Sequence, residues 1–564
     1  MNGLLLLLSV ILSVPLVLWL PITAVAGPGP TQRAERFVKD HEKRLRGLET
    51  RANQGWWNAN TTGKDADFKE KEKAQNLIDE ALADPAVFKE LKEIKDAGGI
   101  DVPVVAREID VLYLMYLEKQ VDPALLKRMV ALGNKVEQTF NVYRAKVDGV
   151  EMSDSEVRKV LKNSSNSEQR EAVWTSSKGV GAVLADDLRE LVKLRNLAAV
   201  KLGFKNYHDM QLTLNEQNGK DLIALFDELD ELTREPFKQA KVEIDVKLAS
   251  YCGIKVQELM PWHYHDPFFQ ESPAVFPVSL DAPYSHADLL KLCRDFYAGI
   301  GLPIDEVIAR SDLYEKKGKS PHAFCTDINR DGDVRVLANI VNNEYWMGTM
   351  LHELGHSVYS SKNIPSSVPY VLRLESHILT TEGVAMMFER LSKSRLWLEK
   401  MGIAVDDPKA FDEVAAKMLR NQLLIFSRWC QVMLRFEKSM YENPDQDLNK
   451  LWWDLVEKYQ DVKRPPGRNA PDFASKIHIV NAPVYYHNYQ MGQLFASQVH
   501  HAITREVKGK YPDDVIYVGN KAVGEFMRKK VFEPGRKLSW NDLTKFATGE
   551  PLNAKAFAAD FRAK

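Results

Sequence analysis

The chain has 564 residues, 45% of them apolar and 27% charged, with a formal net charge of −2. That is globular composition, and it supplies no global basic field, so nucleic acid is not an expected partner. Length alone admits three or four domains of ordinary size, or one large helical domain.

The chain opens with an apolar run from Leu4 to Leu20, followed by Ala24-Val25-Ala26 before Gly27. A small-residue triplet after such a run reads as a cleavage site, so residues 1–26 are expected to be a secretory signal peptide. The alternative is an uncleaved N-terminal anchor, which would be the one route to a membrane partner. The expected location is secreted or periplasmic. The four cysteines, Cys252, Cys293, Cys325 and Cys430, lie far apart without metal-ligand spacing. Buried free thiols are the favoured reading for a domain this large.

Residues 31–53 read as a charged amphipathic helix, and 67–95 carry apolar residues at helical spacing. The pattern continues to about residue 143, with Asp122-Pro123 as a helix start. Further helices follow, with a turn and cap over 165–168 and a long helical run over 220–250. Between 260 and 345 the texture changes. MPWHYHDPFFQESPAVFPVSLDAPYS is rich in proline and aromatics and reads as irregular loop. In DGDVRVLANIVNN, a turn dipeptide precedes an apolar, β-branched stretch, which predicts a strand. Asn342 or Asn343 then caps a helix with Glu344 in its first turn. Helices resume over 372–460, break at Arg464-Pro465-Pro466-Gly467, and begin again near Pro483.

The helix after the strand carries MLHELGHSVY. His352 and His356, four apart, fall one turn apart on the same helical face. Two imidazoles so placed can both reach one zinc ion at roughly 2.0–2.1 Å. Glu353 points to the edge of that face, where a general base belongs. The helix is apolar enough to be buried (Trp346, Met347, Met350, Leu351, Leu354, Val358), and buried histidines beside a glutamate are costly without partners. A catalytic zinc takes three protein ligands and keeps one position open. Glu375, His377 and Glu382 are the candidates for the third, and spacing does not separate them.

WWNANTTG, LRNLAAVKLGFKNYHDM, MPWHYHD, PHAFC, HELGH, TEGVA, LWWDLVEKYQ and KIHI occur in this order. This ordered set resembles the angiotensin-converting enzyme family of zinc peptidyl-dipeptidases over nearly the whole chain after residue 26. More distantly, it is similar to the thimet and neurolysin oligopeptidases. The resemblance implies a mostly α fold over residues 27–564: one large helical ellipsoid split by a deep substrate channel, with the small β element beside the zinc helix. It implies a Zn2+ cofactor, oligopeptide substrates and release of C-terminal dipeptides. The alternatives are a related oligopeptidase or carboxypeptidase, or a non-catalytic peptide-binding homologue.

Residue by residue, Thr381-Glu382-Gly383 matches the stretch that carries the family's third ligand, which selects Glu382. His322 and Ala323, thirty residues before the first zinc histidine, match the pair that aligns the substrate. Lys476 matches the lysine that binds the terminal carboxylate, and His478 a histidine that stabilises the tetrahedral intermediate. Tyr486 and Tyr489 match two tyrosines three apart, one for the carboxylate and one for the oxyanion, with Tyr485 a rival for Tyr486. The chain also departs from the pattern. A glutamine that grips the carboxylate has no clear counterpart, and His263 or Tyr264 stand nearest. The aspartate that supports a zinc histidine falls at Met386, the arginine of the chloride site near Asn488, and the family's disulfides are not reproduced.

Overall fold

The computed structural model describes residues 29–276, 279–507 and 517–561; the expected leader over 1–26 lies outside them. The described chain is mostly helical, with two small two-stranded antiparallel sheets. The first helices are α1 (Pro30–Thr62), α2 (Asp65–Ala83), α3 (Pro85–Ala97), α4 (Pro103–Glu118) and α5 (Pro123–Val142). Asp84-Pro85 splits the expected 67–95 helix: proline cannot continue α2, and the Asp84 carboxylate caps α3 by accepting from the Ala86 and Val87 amides. Asp122 caps α5 in the same way, as its sequence predicts.

Next comes the hairpin of β1 (Ala145–Val147) and β2 (Val150–Met152), joined at Asp148-Gly149 and absent from the sequence reading. The central part contains α6 (Asp154–Asn163), α7 (Ser167–Lys201), α8 (Tyr207–Leu214), α9 (Gly219–Cys252), α10 (Leu289–Gly299) and α11 (Asp305–Arg310). The predicted strand is β4 (Val334–Leu337), and it pairs with β3 (Phe324–Asp327), with Phe324 opposite Leu337. Two side chains from the end of α1 support that sheet. Trp57 packs on Phe324, Ile328 and Leu337, and Asn53 Nδ2 donates to the carbonyls of Asp327 (3.1 Å) and Ile328 (3.3 Å).

Beyond the sheet lie α12 (Glu344–Val358), α13 (Ile378–Glu389), α14 (Arg395–Lys400), α15 (Pro408–Glu442), α16 (Leu448–Gln460), α17 (Ile477–Asn481) and α18 (His487–Glu506). The carboxy-terminal part adds α19 (Lys521–Phe526), α20 (Trp540–Thr548) and α21 (Lys555–Ala559). One large apolar core runs through nearly all of these elements. Of the expected buried face of α12, Met347, Met350, Leu351, Leu354 and Val358 are fully buried, whereas Trp346 is half-buried. All four cysteines are free.

Candidate active site

Three helices build the centre. Asn343 caps α12, its Oδ1 accepting from the Trp346 amide at 2.8 Å. His377 caps α13 through Nδ1, which accepts from the Leu379 amide at 3.1 Å. α13 packs on α12 on one side and α18 on the other. Glycines allow these close approaches. A Cβ at Gly355 would stand 2.8 Å from Ala385 Cα, and one at Gly383 would stand 2.7 Å from Phe495 Cδ1 and 2.8 Å from the Gly492 carbonyl.

The result is a cluster of His352, His356 and Glu382, whose ligand atoms all lie within 4.8 Å of one another. His352 Nε2 is 3.1 Å from His356 Nε2 and 3.6 Å from a Glu382 carboxylate oxygen. Tetrahedral ligands at the usual zinc distances stand about 3.3 Å apart, so the three donors fit one zinc ion. The other ring nitrogens are engaged: His352 Nδ1 with Glu389 Oε2 at 2.9 Å, and His356 Nδ1 with Thr381 Oγ1 at 2.7 Å. That fixes both rings with Nε2 turned to a common point. Glu389, one helical turn beyond Met386, supplies the carboxylate that the expected position lacks. It lies on the Glu382 face of α13, seven residues on, which is the signal that could have found it.

The two other third-ligand candidates go elsewhere. His377 is consumed as the α13 cap. The Glu375 carboxyl lies among Asp327, Arg536 and Arg330, and burial pushes it up to about 7. Glu353 is buried on the side of α12 that faces β3, where the Cys325 amide bonds its carboxylate. Burial pushes this carboxyl up to about 7; His352 opposes that rise, while Glu382 and Glu389 add to it.

Beside the trio stands an aromatic group from α17 and the entry to α18. The Tyr485 and Tyr489 hydroxyls hydrogen-bond, and burial together with the Glu382 charge raises both phenols. The Tyr489 and Tyr486 rings are 5.4 Å apart, and the His478 ring stands edge-on to Tyr486 at 4.8 Å. Burial, with Lys476 adding, holds His478 down at about 4, so its ring is neutral at pH 7. Its Nδ1 is buried without a hydrogen-bond partner among the described residues. Tyr486 lies just outside α18, against Lys476, whose Nζ is 5.2 Å from the ring. The two rivals thus face different sides: Tyr485 the Glu382 side and Tyr486 the lysine side.

Lys476 is 5% exposed, boxed by Phe268, Trp429 and Tyr486, and its Nζ donates to Gln270 Oε1 at 2.5 Å. Burial holds its ammonium down to about 8 against the pull of Asp266. The glutamine beside the lysine is thus Gln270, and the expectation of His263 or Tyr264 is corrected. His263 is bonded through its two nitrogens to Ser167 Oγ (2.9 Å) and the Met260 amide (2.8 Å), and the Tyr264 hydroxyl to Lys241 and Asp245. An irregular loop has no period from which that offset could be read.

Ala323 leads directly into β3, while His322 is exposed and its hydrogen bonds are backbone ones to Ser320. At the expected chloride position, Asn488 is buried and its Oδ1 accepts from Gln217 Nε2 at 2.7 Å, so no cation stands there.

The sequence profile of the family described as Angiotensin-converting enzyme matches residues 30–237, and that of Peptidase family M3 matches residues 308–563. An angiotensin-converting enzyme of Theromyzon tessulatum is 22% identical over 299 residues, covering 50% of this chain and 47% of the relative. The angiotensin-converting enzyme-related protein of Drosophila melanogaster is 23% identical over 244 residues, 41% of this chain and 38% of its own. The Mesocricetus auratus angiotensin-converting enzyme is 22% identical over 288 residues, 49% of this chain and 22% of its own. The chain thus spans under half the length of the curated relatives it matches. Together, the two profiles and these relatives show similarity to the angiotensin-converting enzyme family of zinc peptidases, each over half of the chain or less.

Proposed function

We propose that this protein is an exported zinc-dependent peptidase that removes dipeptides from the C-termini of oligopeptides. The observation that carries the reading is a continuous line of side chains from the ligand trio through Tyr489 and Tyr486 to the buried Lys476. A buried cation at a fixed place beside a cleavage centre measures the cut from a terminal carboxylate. The apolar leader supports export.

His352, His356 and Glu382 would hold the zinc. When bound, the ion supplies Lewis acidity, polarising a carbonyl and acidifying water. Glu353 takes a proton from the attacking water and delivers it to the departing amine. The Tyr489 hydroxyl and a neutral His478 N–H donate to the developing oxyanion. Ala323 and His322 align the peptide along β3. Lys476, Gln270 and Tyr486 take the terminal carboxylate, with the lysine as a point charge.

The first experiment is mass spectrometry of products from a free-acid decapeptide, with and without a zinc chelator. Stepwise loss of C-terminal dipeptides, abolished by the chelator and restored by zinc, is the expected result. Internal cleavage would favour an oligopeptidase, a second reading supported by the Peptidase family M3 match over the half that carries the trio. Zinc binding without cleavage of any such peptide would make the protein a peptide binder. Glu353→Gln is expected to retain zinc and lose at least about 100-fold in kcat.

A further inference from the structure

Seven non-glycine residues among those described have positive φ, and Val484 is the one β-branched residue in that set, at φ +57°. A β-branched side chain in the left-handed region is a costly local choice that surrounding structure must hold in place. Val484 is 4% exposed and immediately precedes Tyr485 and Tyr486. Its backbone N–H donates to Glu437 Oε1 at 3.0 Å. Glu437, on α15, is 2% exposed.

The consequence of the turn is directional. Tyr485, immediately after it, hydrogen-bonds Tyr489 on the Glu382 side, while Tyr486 lies against Lys476 and Trp429. The helical bonds of α18 then begin, with the Asn488 amide donating to the Tyr485 carbonyl at 3.0 Å. Two adjacent residues serve two different parts of one site, and the kink between Pro483 and Tyr485 sets their directions.

We propose that Glu437 is a positioning residue for carboxylate recognition, pinning Val484 in the left-handed conformation that turns Tyr485 toward Glu382 and Tyr486 toward Lys476. The inference rests on the proposed role of Lys476 and Tyr486 as readers of a peptide's terminal carboxylate. Burial raises the Glu437 carboxyl to about 8, so at neutral pH it accepts the Val484 N–H without adding a negative charge beside the aromatic group. Glutamine reproduces that neutral acceptor, and leucine removes it.

The test measures the Kd ratio for a C-terminally amidated over a free-acid peptide in zinc-loaded protein that also carries Glu353→Gln. Glu437→Gln is expected to keep the ratio. Glu437→Leu should lower it about tenfold, the equivalent of losing a strain-holding contact. Val484→Gly makes the same backbone conformation inexpensive, so the Glu437→Leu/Val484→Gly double variant should recover the ratio. A folded Glu437→Leu protein with an unchanged ratio overturns the proposal. If Glu437→Leu alone does not fold, the double variant must fold and hold the ratio; failure of either overturns the proposal too. Product formation by the wild-type protein is scored separately. Absence of cleavage with an intact free-acid preference removes the peptidase reading and leaves the Glu437 assignment standing.

Discussion

Glu389 carries a consequence that separates it from a merely nearby acid. It bonds the nitrogen of His352 that does not face the trio, and a carboxylate in that position orients the ring and raises its basicity as a ligand. Glu389→Gln should therefore weaken zinc binding by about 10–100-fold, read by competition with a chromogenic chelator, while free-acid preference is unchanged. Unaltered zinc affinity would remove Glu389 from the site. Lys476 makes a prediction of the other kind. Its ammonium is held down to about 8 in the free protein, so it is charged below that pH and neutral above it. The ratio of kcat/KM for a free-acid peptide over its amide should fall as pH rises through about 8, approaching tenfold per pH unit. Taking the ratio cancels the titration of Glu353 and the zinc ligands, which both peptides share. A ratio flat to pH 9.5 would mean that Lys476 does not read the carboxylate. Residues of this kind were legible to different depths. His352, Glu353 and His356 are visible from spacing alone. Glu382 needed the resemblance. Gln270 and Thr381 needed the fold, because no period or motif ties a loop glutamine to a lysine two hundred residues away.

Elements with strong local causes were the legible ones. Asp122-Pro123, the cap at Asn343 and the strand after Asp331-Gly332 stand where the sequence puts them, because each is determined by one or two side chains acting on adjacent backbone. β1 and β2 were missed although Asp148-Gly149 marks their turn: three-residue strands carry too few alternating positions to show a period. β3 was hidden for another reason, since Phe324–Asp327 gains its strand state from β4 and from the support of Asn53 and Trp57. What no local rule reveals is how α12, α13 and α18 meet, and there the glycines act as spacers. In Gly355→Ala, the new methyl would lie 2.8 Å from backbone at Ala385, which cannot move aside as a flexible side chain could. The variant should lose about 1–3 kcal/mol of stability in urea unfolding, as overpacked cores do. Zinc affinity should fall with it, because Glu382 rides on α13 and both histidines on α12. Lower stability with unchanged zinc affinity would show that the ligand trio tolerates the displacement and that the tight crossing serves packing only.

At the scale of the whole molecule, burial has set two populations of titrating groups against each other. Seven histidines, His41, His208, His263, His265, His377, His478 and His487, are held down at about 3 to 4, with burial the largest cause for each. Five carboxyls are held up by burial to values of about 6 to 8: Asp266 at about 6, Glu108, Glu353 and Glu375 at about 7, and Glu437 at about 8. The signs differ. Between about pH 4 and 6.5 the unfolded chain takes up protons on the histidines that the folded chain refuses, so acidification costs stability. The raised carboxyls act oppositely: the folded chain keeps protons that the unfolded chain has released by about pH 4.5, so stability is lost as pH rises toward their folded values. Below pH 6.5 the seven histidines outnumber the five carboxyls and stability falls toward acid. Above 6.5 these histidines are neutral in both states, and Glu108, Glu353, Glu375 and Glu437 turn the slope downward. Stability should therefore peak near pH 6 and decline toward pH 8. Glu437 reaches furthest into the alkaline limb, so Glu437→Gln, which keeps the acceptor for Val484 but has no proton to lose, should flatten it. Urea unfolding of both proteins in saturating zinc gives the comparison, and the difference between them cancels the zinc ligands. The wild-type protein should lose about 1–2 kcal/mol more than the variant between pH 6.5 and 8, the share of one proton whose slope approaches about 1.4 kcal/mol per pH unit. Parallel slopes would mean that Glu437 is ionised throughout this range. A buried anion would then sit against the Val484 turn, and the turn would be held by charge rather than by a neutral acceptor.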